Sequence, residues 1–240
     1  MPHTLMSLED AADYLHLDIA AVRSLAVHGE LPSEMQGDRL VFRRGPLQSW
    51  ASQRILGLRG KHLAEYHSRG VLRQHDTSPR AAILSDLTDP EFMEPVLQAR
   101  SKAAVMRALT TVAERTGYLY DPDDLLESIR QREELCSTGI EGGAAILHPR
   151  HHDPYMFDDS FVCIGRSPVL IPFGATDGSK TDVFFLVCCQ DDSTHLHVLA
   201  RICLLVHGSD ILSRLRAAHD GREMYAALTE SEAALLARAK

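Results

Sequence analysis

The sequence predicts an α/β fold, a mixed sheet flanked by helices, with a small and mainly helical N-terminal domain in front of it. From about residue 81, apolar segments at helical spacing alternate with short apolar runs typical of strands. This alternation is the pattern of a sheet covered by helices. Before that point, two short amphipathic segments and a basic hairpin-like stretch precede a helix that contains the single tryptophan, Trp50. A chain of 240 residues has room for both parts.

The composition is that of an ordinary soluble globular protein, with 45% hydrophobic and 24% charged residues. No secretion signal and no apolar run of about 20 residues is visible, so we expect a cytoplasmic protein without membrane insertion. The five cysteines are an odd number and sit mainly in apolar runs, so we expect reduced, buried thiols. The net charge of −8 is uneven, since residues 1–80 carry +1 and the rest −9. The acidic part is therefore a poor candidate for binding nucleic acid.

Residues 1–58 are predicted to form the N-terminal domain. Ser7 and Asp10 form the sequence pattern of a capping box at the start of a first helix. Asp18 is the predicted cap of a second helix. A short strand flanked by arginines follows, and a final helix is predicted to begin near Pro46.

This order of elements resembles the excisionase/MerR-like winged helix-turn-helix. The matching segments are Glu9-Asp-Ala-Ala12, Val22-Arg23, Gly29-Glu-Leu-Pro32, Arg39-Leu-Val-Phe-Arg43 and Leu47-Gln-Ser-Trp50. The resemblance implies DNA binding, with the second helix in the major groove and the hairpin against the backbone. The candidate DNA contacts are Arg23, Arg39, Arg43 and Arg44. The alternative is that these arginines form a solvated face and that the domain binds protein.

Residues 59–80 are predicted to be a basic linker. From residue 57 to residue 80 the chain carries five basic side chains against two acidic ones. Residues 61–72 are compatible with an extension of the preceding helix, and residues 74–80 are predicted to form a hinge.

Residues 81–240 are predicted to form the α/β domain. One helix begins at Ser101, and another begins at Asp121-Pro122 and ends at Arg132. Three strand regions follow, at 144–147, at 161–164 with 169–171, and at 183–189. Three further helices are predicted, at 195–206 with a Ser193-Thr194 cap, at 209–218, and after a capping box at 229–232.

The stretch from Arg132 to His148 carries the functional prediction. An arginine ends a helix, a Ser-Thr-Gly turn follows, and a small-residue apolar strand leads to one histidine. This stretch resembles the active-site region of the EIIA subunits of the sugar phosphotransferase system, in the fructose/mannitol and nitrogen-regulatory branch. The resemblance extends over about residues 81–240, including the strand, loop and helix at 183–200. It implies an EIIA-like fold and a cytoplasmic phosphocarrier.

Carried over residue by residue, the resemblance implies that His148 is the phosphorylated histidine, His195 the second histidine and Arg132 the arginine that faces the phosphate. Neutral imidazole is a good nucleophile near pH 7, and arginine can hold phosphoryl oxygens through two parallel hydrogen bonds. The hydroxyl of Ser137 or Thr138 is a candidate additional phosphate donor. No metal or other cofactor is required, and an HPr-like histidine phosphocarrier protein is the implied donor.

Two histidine-rich patterns are weaker candidates for metal binding. Adjacent histidines in the loop His148-Pro-Arg-His-His-Asp153 rarely converge on one tetrahedral ion. His195 and His197 point to different faces of a helix, so they form a poor chelate and we expect His197 on the surface. The sequence therefore predicts no metal site.

We expect a phosphocarrier or regulator that accepts phosphate on His148 and is coupled to a DNA-binding domain. Whether it counts as an enzyme and whether it forms a homodimer are left open, and DNA or another regulatory protein is a further candidate partner. The family usually has proline directly before the acceptor, where this chain has Leu147. This difference motivates an alternative, a non-phosphorylated EIIA-like sensory or scaffold protein that binds a protein partner. A sugar-specific EIIA subunit that passes phosphate to a permease is the third reading.

These functional predictions depend on three distant side chains that meet around space for one oxyanion. An acceptor imidazole that is sealed from solvent, with both nitrogens occupied, would count against phosphotransfer.

Overall fold

The structure, a computed structural model, describes residues 5–73, 83–150 and 156–238. The N-terminal elements are β1 (Leu5–Met6), α1 (Leu8–Tyr14), α2 (Ile19–Val27), β2 (Glu34–Gln36), β3 (Arg39–Arg43), α3 (Arg44–Gly57) and α4 (Gly60–Arg73). The later elements are β4 (Met93–Glu94), α5 (Lys102–Glu114), α6 (Pro122–Leu135), β5 (Gly139–Ile140), β6 (Ala144–Leu147), β7 (Phe161–Ile171), β8 (Thr181–Cys188), α7 (Asp192–Gly208), α8 (Ile211–Ala217) and α9 (Gly221–Arg238).

The N-terminal elements follow the predicted order of two helices, a hairpin and a longer helix. The Ser7 capping box is confirmed, because its hydroxyl accepts the Asp10 backbone N–H at 3.0 Å and the Asp10 carboxylate accepts the Ser7 N–H at 3.1 Å. Asp18 stands at the start of α2, but its side chain makes no capping hydrogen bond. The longer helix begins at Arg44, two residues before Pro46. Strands β1, β3 and β2 form a small antiparallel sheet.

The stretch predicted as a basic linker, residues 59–80, contains packed structure. Residues 60–73 form α4, in which Leu63 is fully buried and Tyr66 is 8% exposed. The helix that the sequence allowed at residues 61–72 is thus present, as a helix separate from α3, and its buried apolar side chains, spaced for one helix face, pack on α7. The predicted hinge, residues 74–80, lies outside the described residues.

The C-terminal part has the predicted mixed α/β fold. Its five-stranded sheet has the order β4-β7-β8-β6-β5. Strand β6 pairs in parallel with β8 and antiparallel with β5, so it is an interior strand, and all four of its residues are buried. The two strand segments predicted at 161–171 are one strand, β7, whose register shifts between Arg166 and Ile171. The sheet thus places the end of β6, and His148 after it, in a rigid setting.

The sheet separates two hydrophobic clusters, because successive side chains of a strand point to opposite faces. Ala145 and Leu147 of β6 belong to the cluster formed with α5 and α6. Ala144 and Ile146 belong to the cluster formed with α7, α8 and α9. That second cluster also includes buried residues of the N-terminal part, Phe42 among them. The N-terminal part therefore shares one core with the α7 side of the sheet.

Two predicted helix starts in the C-terminal part are wrong. Helix α7 begins after Asp191, whose carboxylate accepts the Thr194 backbone N–H at 2.8 Å, so the predicted Ser-Thr cap lies inside the helix. Helix α9 begins at Gly221, and Thr229, predicted as a cap, lies in its middle. The Glu232 side chain of the predicted capping box makes tertiary contacts instead, which local patterns do not reveal.

A buried ion pair holds α9 to α7. Arg201 and Glu232 are both fully buried, and the Arg201 Nη1 donates to Glu232 Oε1 at 2.8 Å. The same carboxylate accepts the backbone N–H groups of Ile83, Leu84 and Ser85 at 3.0–3.1 Å. Glu232 therefore fastens the start of the second described segment to both helices.

A half-buried histidine, His67, and a buried one, His197, adjoin this ion pair. Arg201 Nε donates to His67 Nε2 at 3.0 Å, and the ring centroids of His67 and His197 lie 4.6 Å apart. His197 was predicted on the surface but is 7% exposed, because α4 covers this side of α7. Burial lowers the pKa of His67 to about 3 and the pKa of His197 to about 4, and the charge of Arg201 adds to both shifts.

We expect acid to destabilise the folded chain through these two histidines. In the unfolded chain both regain a pKa near 6.5, so between about pH 6.5 and pH 4 the unfolded state binds more protons. Their contribution is fully present above about pH 6.5, and each histidine then removes about 1.4 kcal/mol per pH unit as the pH falls. Urea denaturation at about pH 7, 6 and 5 measures this loss.

The double variant His67→Gln/His197→Gln separates these groups from the carboxylates that also protonate in acid. The unfolding free energy of the double variant should fall less steeply than that of the wild type. A His219→Gln variant, at an exposed position, should keep the wild-type slope. Parallel pH profiles of the wild type and the double variant would contradict the assignment.

Candidate functional site

His148 lies directly after the buried strand β6. Its Nδ1 lies 3.0 Å from the carbonyl oxygen of Pro149, and its Nε2 lies 3.2 Å from the Nε of Arg132. A carbonyl oxygen only accepts and a guanidinium only donates, so Nδ1 carries the proton and Nε2 presents its lone pair. This is the neutral tautomer that a nucleophilic Nε2 requires.

Arg132, in the last turn of α6, is 1% exposed and is held from several sides. Besides the bond to His148, its Nη1 donates to the carbonyl oxygen of Cys136 at 3.2 Å and lies 3.1 Å from the Cys136 Sγ. Its Nη2 is buried without a hydrogen-bond partner in the described part of the chain. The guanidinium therefore keeps an unused donor at the site.

His195 lies in the first turn of α7 and is fully buried. The centroids of its ring and of the His148 ring are 4.6 Å apart, which is ring contact. The structure thus brings together all three residues of the predicted phosphoacceptor site, His148, His195 and Arg132. They come from the end of one strand and from two helices on opposite sides of the sheet.

The site is closed. His148 is 2% exposed and both of its ring nitrogens have hydrogen-bond partners. The contact between the rings of His148 and His195 leaves no space for a tetrahedral oxyanion between them. The sequence predicts that the trio converges around space for one oxyanion; among the described residues the three side chains do converge, but the two imidazole rings are in contact with each other.

Residues of the N-terminal part complete the site. The Ser52 Oγ lies 3.3 Å from the His195 Nε2, and both groups are buried. The Arg44 Nε donates to the carboxylate of Asp192, the first residue of α7, at 2.6 Å. Burial and the Asp192 charge raise the pKa of Tyr14. Helix α3 therefore meets the very end of α7 that carries His195.

The two predicted phosphate-binding hydroxyls have other partners. The Ser137 hydroxyl donates to the Phe173 carbonyl oxygen at 2.6 Å. Thr138 is fully buried and donates to the Glu133 carboxylate at 2.6 Å, which also holds Lys102 at 2.5 Å. Both hydroxyls stabilise the turn between α6 and β5 in this conformation, and a role for them in phosphate binding stays a prediction.

The four predicted DNA-contact arginines have different surroundings. Arg23 and Arg39 are exposed. Arg43 binds a glutamate of β2 at 2.6 Å, within the N-terminal part. Arg44 is committed to Asp192 and thus to the α7 end of the sheet. DNA binding by this part of the chain stays a prediction.

Sequence reasoning missed Ser52, Asp192 and Cys136. Ser52 belongs to no motif, because nothing local marks a serine that will meet a histidine 143 residues away. Cys136 lies within the stretch from Arg132 to His148, but no role was assigned to it. Asp192 stands three residues before His195, and that proximity was the one available signal.

Among residues 5–73, 83–150 and 156–238, no three His, Cys, Asp or Glu side chains are grouped to hold a metal ion. His151, His152 and Asp153 lie outside these ranges. In the same ranges no single helix is long and apolar enough to cross a membrane, although α7 and α8, bent by 84°, meet the length and composition criterion as a pair.

Comparison with known protein families gives one match over most of the chain. Residues 86–231 match the family described as phosphoenolpyruvate-dependent sugar phosphotransferase system, EIIA 2. The matched residues include His148, His195 and Arg132, whereas Arg44 and Ser52 precede them.

Similar proteins point the same way. A nitrogen regulatory protein of Bradyrhizobium diazoefficiens is 32% identical over 148 residues, which cover 60% of this chain and 94% of the relative. A nitrogen regulatory protein of Escherichia coli K12 is 30% identical over 154 residues, covering 62% and 91%. The crystal structure of nitrogen regulatory protein IIA-Ntr from Neisseria meningitidis superposes with a TM-score of 0.55 at 22% identity, covering 61% of this chain and 99% of that one.

Proposed function

The chain belongs to the EIIA 2 family of the phosphoenolpyruvate-dependent sugar phosphotransferase system, and we propose that it is a histidine phosphocarrier or regulator that accepts a phosphoryl group on His148. The observation that carries the proposal is the convergence of His148, His195 and Arg132. The Nε2 lone pair of His148 faces a guanidinium at 3.2 Å, and the His195 ring is in contact with the acceptor ring.

The proposed step transfers a phosphoryl group from a phosphohistidine of an HPr-like carrier. The lone pair of His148 Nε2 forms the new N–P bond while the donor's N–P bond breaks, and that electron pair returns to the donor imidazole. The His148 Nδ1–H keeps its hydrogen bond to Pro149 and so holds the ring in place. Little covalent chemistry is asked of the protein beyond positioning and charge stabilisation.

Arg132 has to change partners during this step. In the observed conformation its Nε occupies the very lone pair that must attack phosphorus. When Nε2 bonds to phosphorus, Arg132 can bind the phosphoryl oxygens through Nε and through Nη2, the donor without a described partner. His195 can donate to the same oxygens once its nitrogen is released from Ser52.

The test is phosphorylation of the purified full-length chain by an enzyme I, an HPr-like carrier and labelled phosphoenolpyruvate. We expect an acid-labile label that tandem mass spectrometry maps to His148, and loss of the label to background in His148→Gln. His219→Gln, at an exposed position, should take up the label as the wild type does. Retention of the label in His148→Gln would contradict the assignment of the acceptor.

One observation favours a second candidate function, a regulatory or scaffold protein that does not transfer phosphate. His148 is buried and both of its ring nitrogens have hydrogen-bond partners, as expected for a histidine that no longer accepts phosphate. Leu147, where the family usually has proline, is fully buried in the α5–α6 cluster. A wild-type chain that takes up no label but binds a protein partner in pull-down experiments would favour this reading.

A further inference from the structure

The N-terminal module, residues 5–73, covers the end of α7 that carries His195. The Ser52 Oγ of α3 lies 3.3 Å from His195 Nε2, and neither side chain is exposed. Beside it, the Arg44 Nε donates at 2.6 Å to Asp192, whose side chain is 5% exposed. A hydrogen bond and an ion pair thus connect the module to the first turn of the site helix.

Apolar packing extends this contact along α7. Leu47 and Ile55 of α3 and Leu63 of α4 are fully buried, and both helices pack against α7. His195 therefore lies between α3 on one side and the His148 ring on the other. A donor protein that approached His148 past His195 would meet α3 first.

We propose that the N-terminal module is an intramolecular cover that keeps the phosphoacceptor site closed until Ser52 and Arg44 leave His195 and Asp192. This inference rests on the proposed function, because it concerns access to the same acceptor. The two covering residues, Ser52 and Arg44, lie before the family match at residues 86–231. The N-terminal module, and not the matched domain, would therefore control access to His148.

The charge of the product supports the same coupling. A phosphoryl group adds close to two negative charges, and burying such a group without solvent is costly. Phosphorylation therefore favours the open conformation, and by linkage opening favours phosphorylation to the same extent.

The experiment compares two neighbouring arginines in the full-length chain. Arg44→Glu turns the ion pair with Asp192 into a repulsion, while a glutamate in the first turn of α3 remains favourable for the helix. Arg43→Glu is the matched control, because Arg43 pairs with Glu34 inside the module. Arg44→Lys keeps the positive charge and should stay closed.

Two readouts separate the cover from phosphotransfer. Diethyl pyrocarbonate modifies accessible neutral imidazoles, and tandem mass spectrometry reports the rate at His195 relative to the exposed His219 in the same molecule. The initial rate of labelling at His148 by the phosphorylated HPr-like carrier is the second readout. We expect both rates to rise about tenfold in Arg44→Glu, since the substitution replaces the cation beside the Asp192 carboxylate with a like charge. Neither should change in Arg43→Glu.

Ser52→Ala is the second variant, which leaves the charge pair in place. It should raise both rates to a smaller extent, because one hydrogen bond to His195 is lost. Faster modification of His195 without any labelling of His148 would support the cover and reject phosphotransfer. Modification of wild-type His195 as fast as His219, or equal rates in Arg44→Glu and Arg43→Glu, would overturn the cover.

Discussion

Replacing Glu232 by alanine is expected to lower the free energy of unfolding by about 3–5 kcal/mol. The substitution leaves Arg201 as a buried charge without its carboxylate partner. It also removes the acceptor for three backbone N–H groups at the start of the second described segment. Burial already lowers the pKa of Arg201, with Glu232 acting in the opposite direction, so the guanidinium depends on this carboxylate.

Urea denaturation of both variants at neutral pH measures the effect against a matched control. Glu230→Ala removes a glutamate of the same helix that pairs with Arg214 at the surface, with its side chain 66% exposed. We expect that variant to lose less than about 1 kcal/mol. Equal losses in the two variants would mean that the buried pair contributes no more than an exposed one.

Replacing Arg132 by methionine is expected to slow phosphoryl uptake on His148 by about 100- to 1000-fold, the usual effect of removing one positioned donor to transition-state charge. Methionine can fill much of the space of the buried side chain but cannot bind equatorial phosphoryl oxygens. The initial rate of labelling by the phosphorylated HPr-like carrier gives the measurement.

Arg130→Met is the control for that experiment. Arg130 lies on the same helix, two residues earlier, with a side chain 38% exposed beside Glu127. Its replacement should leave the labelling rate unchanged. If Arg132→Met were labelled within a factor of about three of the wild type, the guanidinium would have no role at the phosphoryl group.

Local patterns predicted the elements whose causes are local. The capping box at Ser7 and the Asp121-Pro122 helix start are made by residues next to one another in sequence, and both form as expected. Strand β6 is predicted by a short apolar run and is found at the predicted residues. In each case the sequence within a few residues contains the whole physical cause.

Tertiary contacts account for what local patterns missed. Residues 60–73 have the composition of a basic linker. Their apolar face is buried only because α7 packs against it. Thr229 and Glu232 form a capping-box pattern, yet the carboxylate is drawn to Arg201 from another helix. A pattern of residue types cannot show which of two equally suitable partners a side chain will meet.

The candidate site divides in the same way. His148, His195 and Arg132 were placed together by resemblance to a family, and their side chains do converge in the structure. Ser52, which contacts the buried His195, is not included in the resemblance. Access to a site depends on every element packed around that site. The sequence spacing between the site residues therefore does not reveal whether the site is open.

The apolar core that both parts share couples the stability of the N-terminal part to that of the C-terminal part. Because Phe42 and Ile146 belong to one cluster, the chain should melt in a single cooperative transition. A cavity made near Phe42 would then lower the melting temperature of the strand that leads to His148. Destabilising substitutions in the first seventy residues would therefore reduce the fraction of molecules with a folded His148 site, even where the substituted residue does not contact that site.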